Sequence, residues 1–213
     1  MDEQPIETTI YSLSDAPPPA PSERRDGERH LTLYRVGSVT IDQRRELCLI
    51  KNISAGGMMI RAYCAIECGT RLAVELKSGN PISGSVTWVR GHNLGVAFDQ
   101  PIDVIEILSA SMDGPRPRMP RIAVQGFATV REGANSFRMR TCDISQGGLK
   151  VKTETLLPKD SDVVIMLPGL PPMPGVVRWS DDGFSGLIFN RLLPLPLLVS
   201  WLQEQRGELR AVG

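Results

Sequence analysis

N-I-S-A-G-G, residues 52–57, and D-I-S-Q-G-G, residues 143–148, decide how this chain is read. They lie 91 residues apart, and the same offset relates Trp88 to Trp179 and G-V-A-F (Gly95 to Phe98) to G-L-I-F (Gly186 to Phe189). A fixed period shared by several residue types marks a duplicated structural unit. A repeat of this length is the size of a small domain, so the chain reads as a tandem of two like domains and not as a solenoid.

Working outward, each copy shows short alternating segments rich in β-branched residues. L-T-L-Y-R-V-G-S-V-T-I from Leu31 to Ile41 is the longest in the first copy. The segment from Arg121 to Val130 is its counterpart in the second and is expected to be one strand. Closely spaced strands with Gly, Asn and Asp between them predict an antiparallel all-β unit. Closure into a barrel removes exposed edges, so two barrels are expected. An apolar stretch of helical character follows each, Ile102 to Leu108 and Pro196 to Arg206. The boundaries read as a Pro-rich disordered tail over 1–22, a first domain over 23–110, a linker over 111–115, a second domain over 116–206 and a tail over 207–213.

Composition narrows the function. The 24 basic residues balance the 24 acidic ones, so no net field draws the chain to nucleic acid or to an anionic membrane. No apolar run is long enough to span a bilayer. The opening M-D-E-Q-P-I-E is acidic, unlike a secretory signal, which predicts a cytoplasmic protein with reduced thiols. Cys64 and Cys68 have no Cys or His partners at zinc spacing, and His30 and His92 are the only histidines. No nucleophile–base pair or metal cluster is visible, so neither an enzyme nor a metal or cofactor site is expected. A barrel that binds single strands would offer stacking aromatics and a basic groove, whereas aromatics are only 5% here.

Two short motifs carry chemistry. R-R-D-G-E-R, with Arg24, Arg25 and Arg29, precedes the first strand, and the Asn52 motif follows a hairpin later. A hairpin brings its ends together, so both motifs can face one ligand. Arginine forks match phosphate oxygens and guanine edges. Asn52 and Ser54 add neutral donors and acceptors. Gly56 and Gly57 allow a close backbone approach or a positive φ. Taken singly, the first motif reads equally as a solvated entry segment and the second as a tight turn.

Taken together, Arg25 and Arg29 in R-x-x-x-R and Asn52, Ser54 and Gly57 in N-x-S-x-x-G resemble the signature of PilZ domains, bacterial receptors for cyclic di-GMP. Trp88 and the Gly95 to Phe98 segment also resemble that family. The resemblance implies six-stranded β-barrels, each with a short C-terminal helix. It implies cyclic di-GMP as ligand, gripped by Arg25 and Arg29 and lined by Asn52, Ser54 and Gly57. It further implies that Arg24, completing R-R-x-x-x-R, accompanies an intercalated ligand dimer. A downstream protein partner is implied without being named, and neither DNA binding nor membrane insertion is. The other reading is a PilZ-like scaffold that binds protein and no nucleotide.

The second copy departs from the pattern. The counterpart of Arg25 is Arg116, but that of Arg29 is Pro120, which has no charge and no donor. Arg118 and Arg121 lie near, and Asp143, Ser145 and Gly148 keep the rest of a second candidate site. The second domain is therefore expected to bind weakly or not at all. Trp88 and Trp179 occur in both copies, which predicts a shared role in or near the core and not ligand stacking.

Overall fold

The structure, a computed structural model, describes residues 31–76, 81–109 and 119–211. The 1–22 tail, Arg24, Arg25, Arg29, the 111–115 linker, Arg116 and Arg118 lie outside the described residues. In the first unit β1 (Leu31–Ile41), β2 (Arg44–Ser54), β3 (Gly57–Ala62), β4 (Arg71–Glu75), β5 (Ile82–Arg90) and β6 (Asn93–Phe98) form one closed antiparallel barrel. The order is β1-β2-β3-β6-β5-β4, and β4 returns to β1 through pairs such as Val39 with Val74. Helix α1 (Val104–Ser109) follows, its start capped by Asp103, whose Oδ1 accepts the Glu106 N–H at 3.0 Å.

The second unit repeats this plan. It comprises β7 (Ile122–Ala123), β8 (Phe127–Glu132), β9 (Asn135–Ser145), β10 (Gly148–Lys152), β11 (Asp162–Met166), β12 (Met173–Asp181), β13 (Phe184–Phe189) and α2 (Leu195–Ala211). Pairing of β9 with β10 closes the six strands β8–β13, and β7 lies on β9. From β9 onward each element begins 91 residues after its counterpart.

One expected strand is divided. The stretch from Arg121 to Val130 breaks into β7 and β8, with Gly126 between them at φ +154°. β1 carries the same irregularity more mildly, as a register shift between Thr32 and Arg35. Arg35 is the counterpart of Gly126, and a glycine tolerates the sharper bend that ends pairing. The helix α2 also runs to Ala211, past the boundary expected at Arg206, because an isolated glycine such as Gly207 does not by itself end a helix.

Alternation fills each barrel. Val39, Ile50, Ile53, Ile60, Val74 and Leu94 are fully or nearly fully buried in the first, and Ile144, Leu149, Val151, Ile165 and Leu187 in the second. Burial of such a side chain contributes about 1.5–3 kcal/mol. Trp88 and Trp179 do not join these cores. Trp88 is 37% exposed and Trp179 39% exposed. Each indole lies outside its barrel, flat over the glycine of the neighbouring strand. A β-carbon on Gly95 would be 2.1 Å from Trp88 Nε1, and one on Gly186 2.1 Å from Trp179 Nε1. The expectation of a core role is thus corrected: the glycine opens a shelf on the outer face and the ring occupies it.

The barrels touch through α2. Gln203 Nε2 donates to Tyr63 O at 2.6 Å, and Arg206 donates to Glu46 and, at 3.1 Å, to Arg45 O. Leu47 of β2 is buried within the second barrel's core cluster, with Val36 and Tyr63 packed against it.

Two outcomes test this packing. Gly186→Ala leaves no shelf for Trp179, so the indole should move into water, with red-shifted emission and a loss of about 1–3 kcal/mol in denaturant unfolding; unchanged emission would refute the placement. Cys48 is 0% exposed, and burial pushes its thiol from an ordinary 9.0 up to about 12. The folded thiol keeps its proton while the unfolded one loses it. Its contribution is therefore present below pH 9 and is lost as pH rises toward 12. Urea unfolding across that range should show this decline in the wild type and a flatter profile in Cys48→Ala.

Candidate functional site

The β2–β3 turn is built by its own motif. Asn52 sits on β2, and its Oδ1 accepts the Met59 N–H at 3.0 Å, which fixes the orientation of the amide. Ser54 Oγ donates to Gly57 O at 3.1 Å and ties the two ends of the turn together. Neither Gly56 nor Gly57 has a positive φ, so conformational freedom is not their role. A β-carbon on Gly57 would lie 2.5 Å from Val96 O, so glycine is needed for β3 to approach β6. A β-carbon on Gly56 meets nothing within 4 Å, which leaves the tip of the turn open.

Beside this turn runs an open groove of about 400 Å³. Asn52, Ser54, Gly56, Gly57 and Met59 form one side, and Trp88 on its Gly95 shelf forms the other. The Arg90 guanidinium stands 5.8 Å from the Trp88 ring centroid. The groove therefore joins a flat aromatic surface to an edge of amide, hydroxyl and backbone groups. Such a surface suits a planar, hydrogen-bonding ring.

The arginine motif lies outside the described residues, but the start of β1, which it precedes in sequence, is described. Leu31 pairs with Ile53 and Thr32 with Asn52. β1 therefore begins alongside the Asn52 and Ser54 end of β2.

The second copy keeps the turn and loses the opening. Ser145 Oγ donates to Gly148 O at 3.3 Å, and a β-carbon on Gly148 would be 2.3 Å from Leu187 O. Above Gly147, the counterpart of Gly56, stand Met119 and Leu192, with their nearest atoms 3.2 and 3.4 Å from a β-carbon there. Arg121 is held by Asp143, with Nη1 to Oδ1 at 2.5 Å. Lys150 takes the place of Met59 and reaches over both Trp179, at 5.9 Å, and Phe184, at 4.3 Å.

Sequence reasoning missed the two platforms and their covers. The repeated Trp and Gly are the signal: a bulky ring and a glycine that always travel together mark one side chain lying over the other. Among the described residues no group of three His, Cys, Asp or Glu side chains is placed to hold a metal, and no helix is long and apolar enough to cross a membrane.

No curated protein sequence matches the chain. Among solved structures it is similar to PlzA of Borreliella burgdorferi in complex with c-di-GMP, at 12% identity and TM-score 0.37, over 79% of this chain and 86% of that one. It is similar to the Bacillus subtilis inhibitor of motility MotI/DgrA, at 14% identity and TM-score 0.33, over 84% and 99%. It is also similar to YcgR of Escherichia coli in complex with c-di-GMP, at 12% identity and TM-score 0.34, over 84% and 89%. The family model of the PilZ domain matches residues 23–110 and again residues 115–194. Matched once on each barrel, the chain belongs to the PilZ domain family as a tandem of two such domains.

Proposed function

We infer that the protein is a receptor for cyclic di-GMP, not an enzyme, and that it binds the nucleotide on its first barrel. The observation that carries this is the open groove between the Asn52 turn and Trp88, near the start of β1, which the arginine motif precedes in sequence. Family membership supplies the ligand class, and c-di-GMP is the nucleotide bound in the PlzA and YcgR structures. In this reading a guanine lies against Trp88, with its edge toward Asn52, Ser54 and Gly56. Arg25 and Arg29 close on the phosphates, and Arg24 serves a second, intercalated nucleotide. Contacts between the arginine segment and the nucleotide would couple ligand to output, because binding shifts a conformational balance only through differential affinity.

The second barrel does not bind in this reading. Its turn residues Asp143, Ser145 and Gly148 remain, but Arg121 is committed to Asp143, and Met119 and Leu192 stand over Gly147, whose counterpart Gly56 is open. Arg116 and Arg118 then have no open groove to serve.

Calorimetric titration with cyclic di-GMP should give saturable binding. At about 100 times Kd the ligand adds roughly 2.7 kcal/mol of stability. Arg29→Ala should weaken binding by at least about tenfold, through loss of a charge-assisted fork. Arg121→Ala should leave it unchanged. No heat in the wild type, or equal losses from both substitutions, would overturn the assignment.

A second expectation separates the two tryptophans. Trp88→Ala should weaken nucleotide binding by about 1–3 kcal/mol through lost stacking. Trp179→Ala should leave affinity as it is. Identical titration curves for the wild type and Trp88→Ala would remove the indole from the site.

A further inference from the structure

The two barrels share one fold, so a position that differs between them is not dictated by that fold. One outer face differs sharply in chemistry. On the first barrel it is formed by Val36, Leu47 and Tyr63, which pack against the second barrel's core. Glu46, the Arg45 carbonyl and the Tyr63 carbonyl there receive the hydrogen bonds of Arg206 and Gln203 from α2. This face of the barrel is therefore already a docking face for a helix within the same chain.

Ninety-one residues later the same face is uncovered and its residues have changed. Val36 becomes Phe127, which is 50% exposed, and Leu47 becomes Arg138. Leu49 becomes Arg140, and Arg61 becomes Lys152. Register sets Phe127 opposite Arg140 and Arg140 opposite Lys152. The Arg138 guanidinium lies 4.2 Å from the Phe127 ring centroid. All three cations are exposed, and among the described residues no ion pair includes them. An open groove of about 530 Å³ runs along them, with three hydroxyls and a single carboxylate, Glu154, in its lining.

We propose that this face of the second barrel docks an acidic amphipathic helix of a partner protein. An exposed aromatic beneath an arginine supplies the kind of anchor on which protein interfaces depend. The three free cations require carboxylates opposite them, both for affinity and for orientation. A second copy of α2 does not satisfy this face. Its Arg206 would find Phe137 in place of the acceptor Glu46, with the Arg138 cation next in sequence. Like charges in that position exclude the chain's own helix, so head-to-tail growth through this face is blocked. The proposal does not depend on nucleotide binding by the first barrel.

The test uses the full chain and a labelled synthetic Leu/Glu amphipathic peptide of about 18 residues, long enough to hold a helix. A Leu/Lys peptide of the same pattern and a short oligothymidylate serve as competing probes. Fluorescence anisotropy at about 0.1 M salt should show binding of the Leu/Glu peptide that weakens as salt rises. The double variant R138E/R140E should weaken it by about tenfold or more, and Lys152→Glu alone should weaken it measurably. Both replace exposed side chains, so thermal melting should stay near that of the wild type. Absence of Leu/Glu binding, equal binding to the variants, or a preference for the Leu/Lys peptide overturns the proposal. Tighter binding of the oligothymidylate also overturns it and reassigns the face to nucleic acid.

Discussion

At residues 57 and 148 two backbones come so near that no side chain fits between them. A β-carbon would stand 2.5 Å from Val96 O in the first barrel and 2.3 Å from Leu187 O in the second. Each glycine begins the strand that turns back from the preceding one, opposite Ala97 or Ile188. Drawing these strands together closes the barrel and removes the unpaired edges that an open sheet would present. The serine three residues earlier then ties the turn with its hydroxyl, in both copies. The groove beside the turn is a consequence of this closure. Its floor is placed by barrel geometry, and only its walls are left to vary.

Duplication makes the variation informative. Whatever the barrel needs is present twice: the serine clasp, the close-approach glycine, and the indole on its glycine shelf. Whatever differs answers to something else. Gly56 is open where Gly147 is covered by Met119 and Leu192. Met59 gives way to Lys150, which draws across Trp179. Val36 and Leu47, apolar and engaged with the neighbouring barrel, give way to Phe127 and Arg138. One barrel keeps its groove clear and surrenders an outer face to its neighbour. The other covers its turn and keeps that face open.

Much of this was legible in the residues. The 91-residue offset survives into three dimensions element by element, because duplication preserves spacing as well as composition. The roles of Gly57 and of the tryptophans were not legible. A glycine can serve torsion or clearance, and only the neighbouring strand shows which one applies. An indole on a short strand looks like core until the facing glycine is seen to make room for it outside. The plug above Gly147 depends on Met119 and Leu192, far apart in sequence, and the Arg121–Asp143 pair likewise joins distant positions. Local pattern carries no information about such meetings. The inter-barrel contact was hidden for the same reason, since Arg206 and Glu46 are 160 residues apart.

That last separation bears on how the molecule is made. The first barrel leaves the ribosome long before α2 does. The last strand of the first barrel ends at Phe98, and at about 5–20 residues per second the 108 residues from there to Arg206 (206 − 98) take roughly 5–22 s to synthesise. Throughout that interval Val36, Leu47 and Tyr63 face water on a barrel that is otherwise complete. The last helix to emerge is thus the one that covers the first domain to fold. Nascent chains carry an apolar patch whose cover, the second barrel and its helix, is still untranslated, so that cover arrives only as the second barrel is completed.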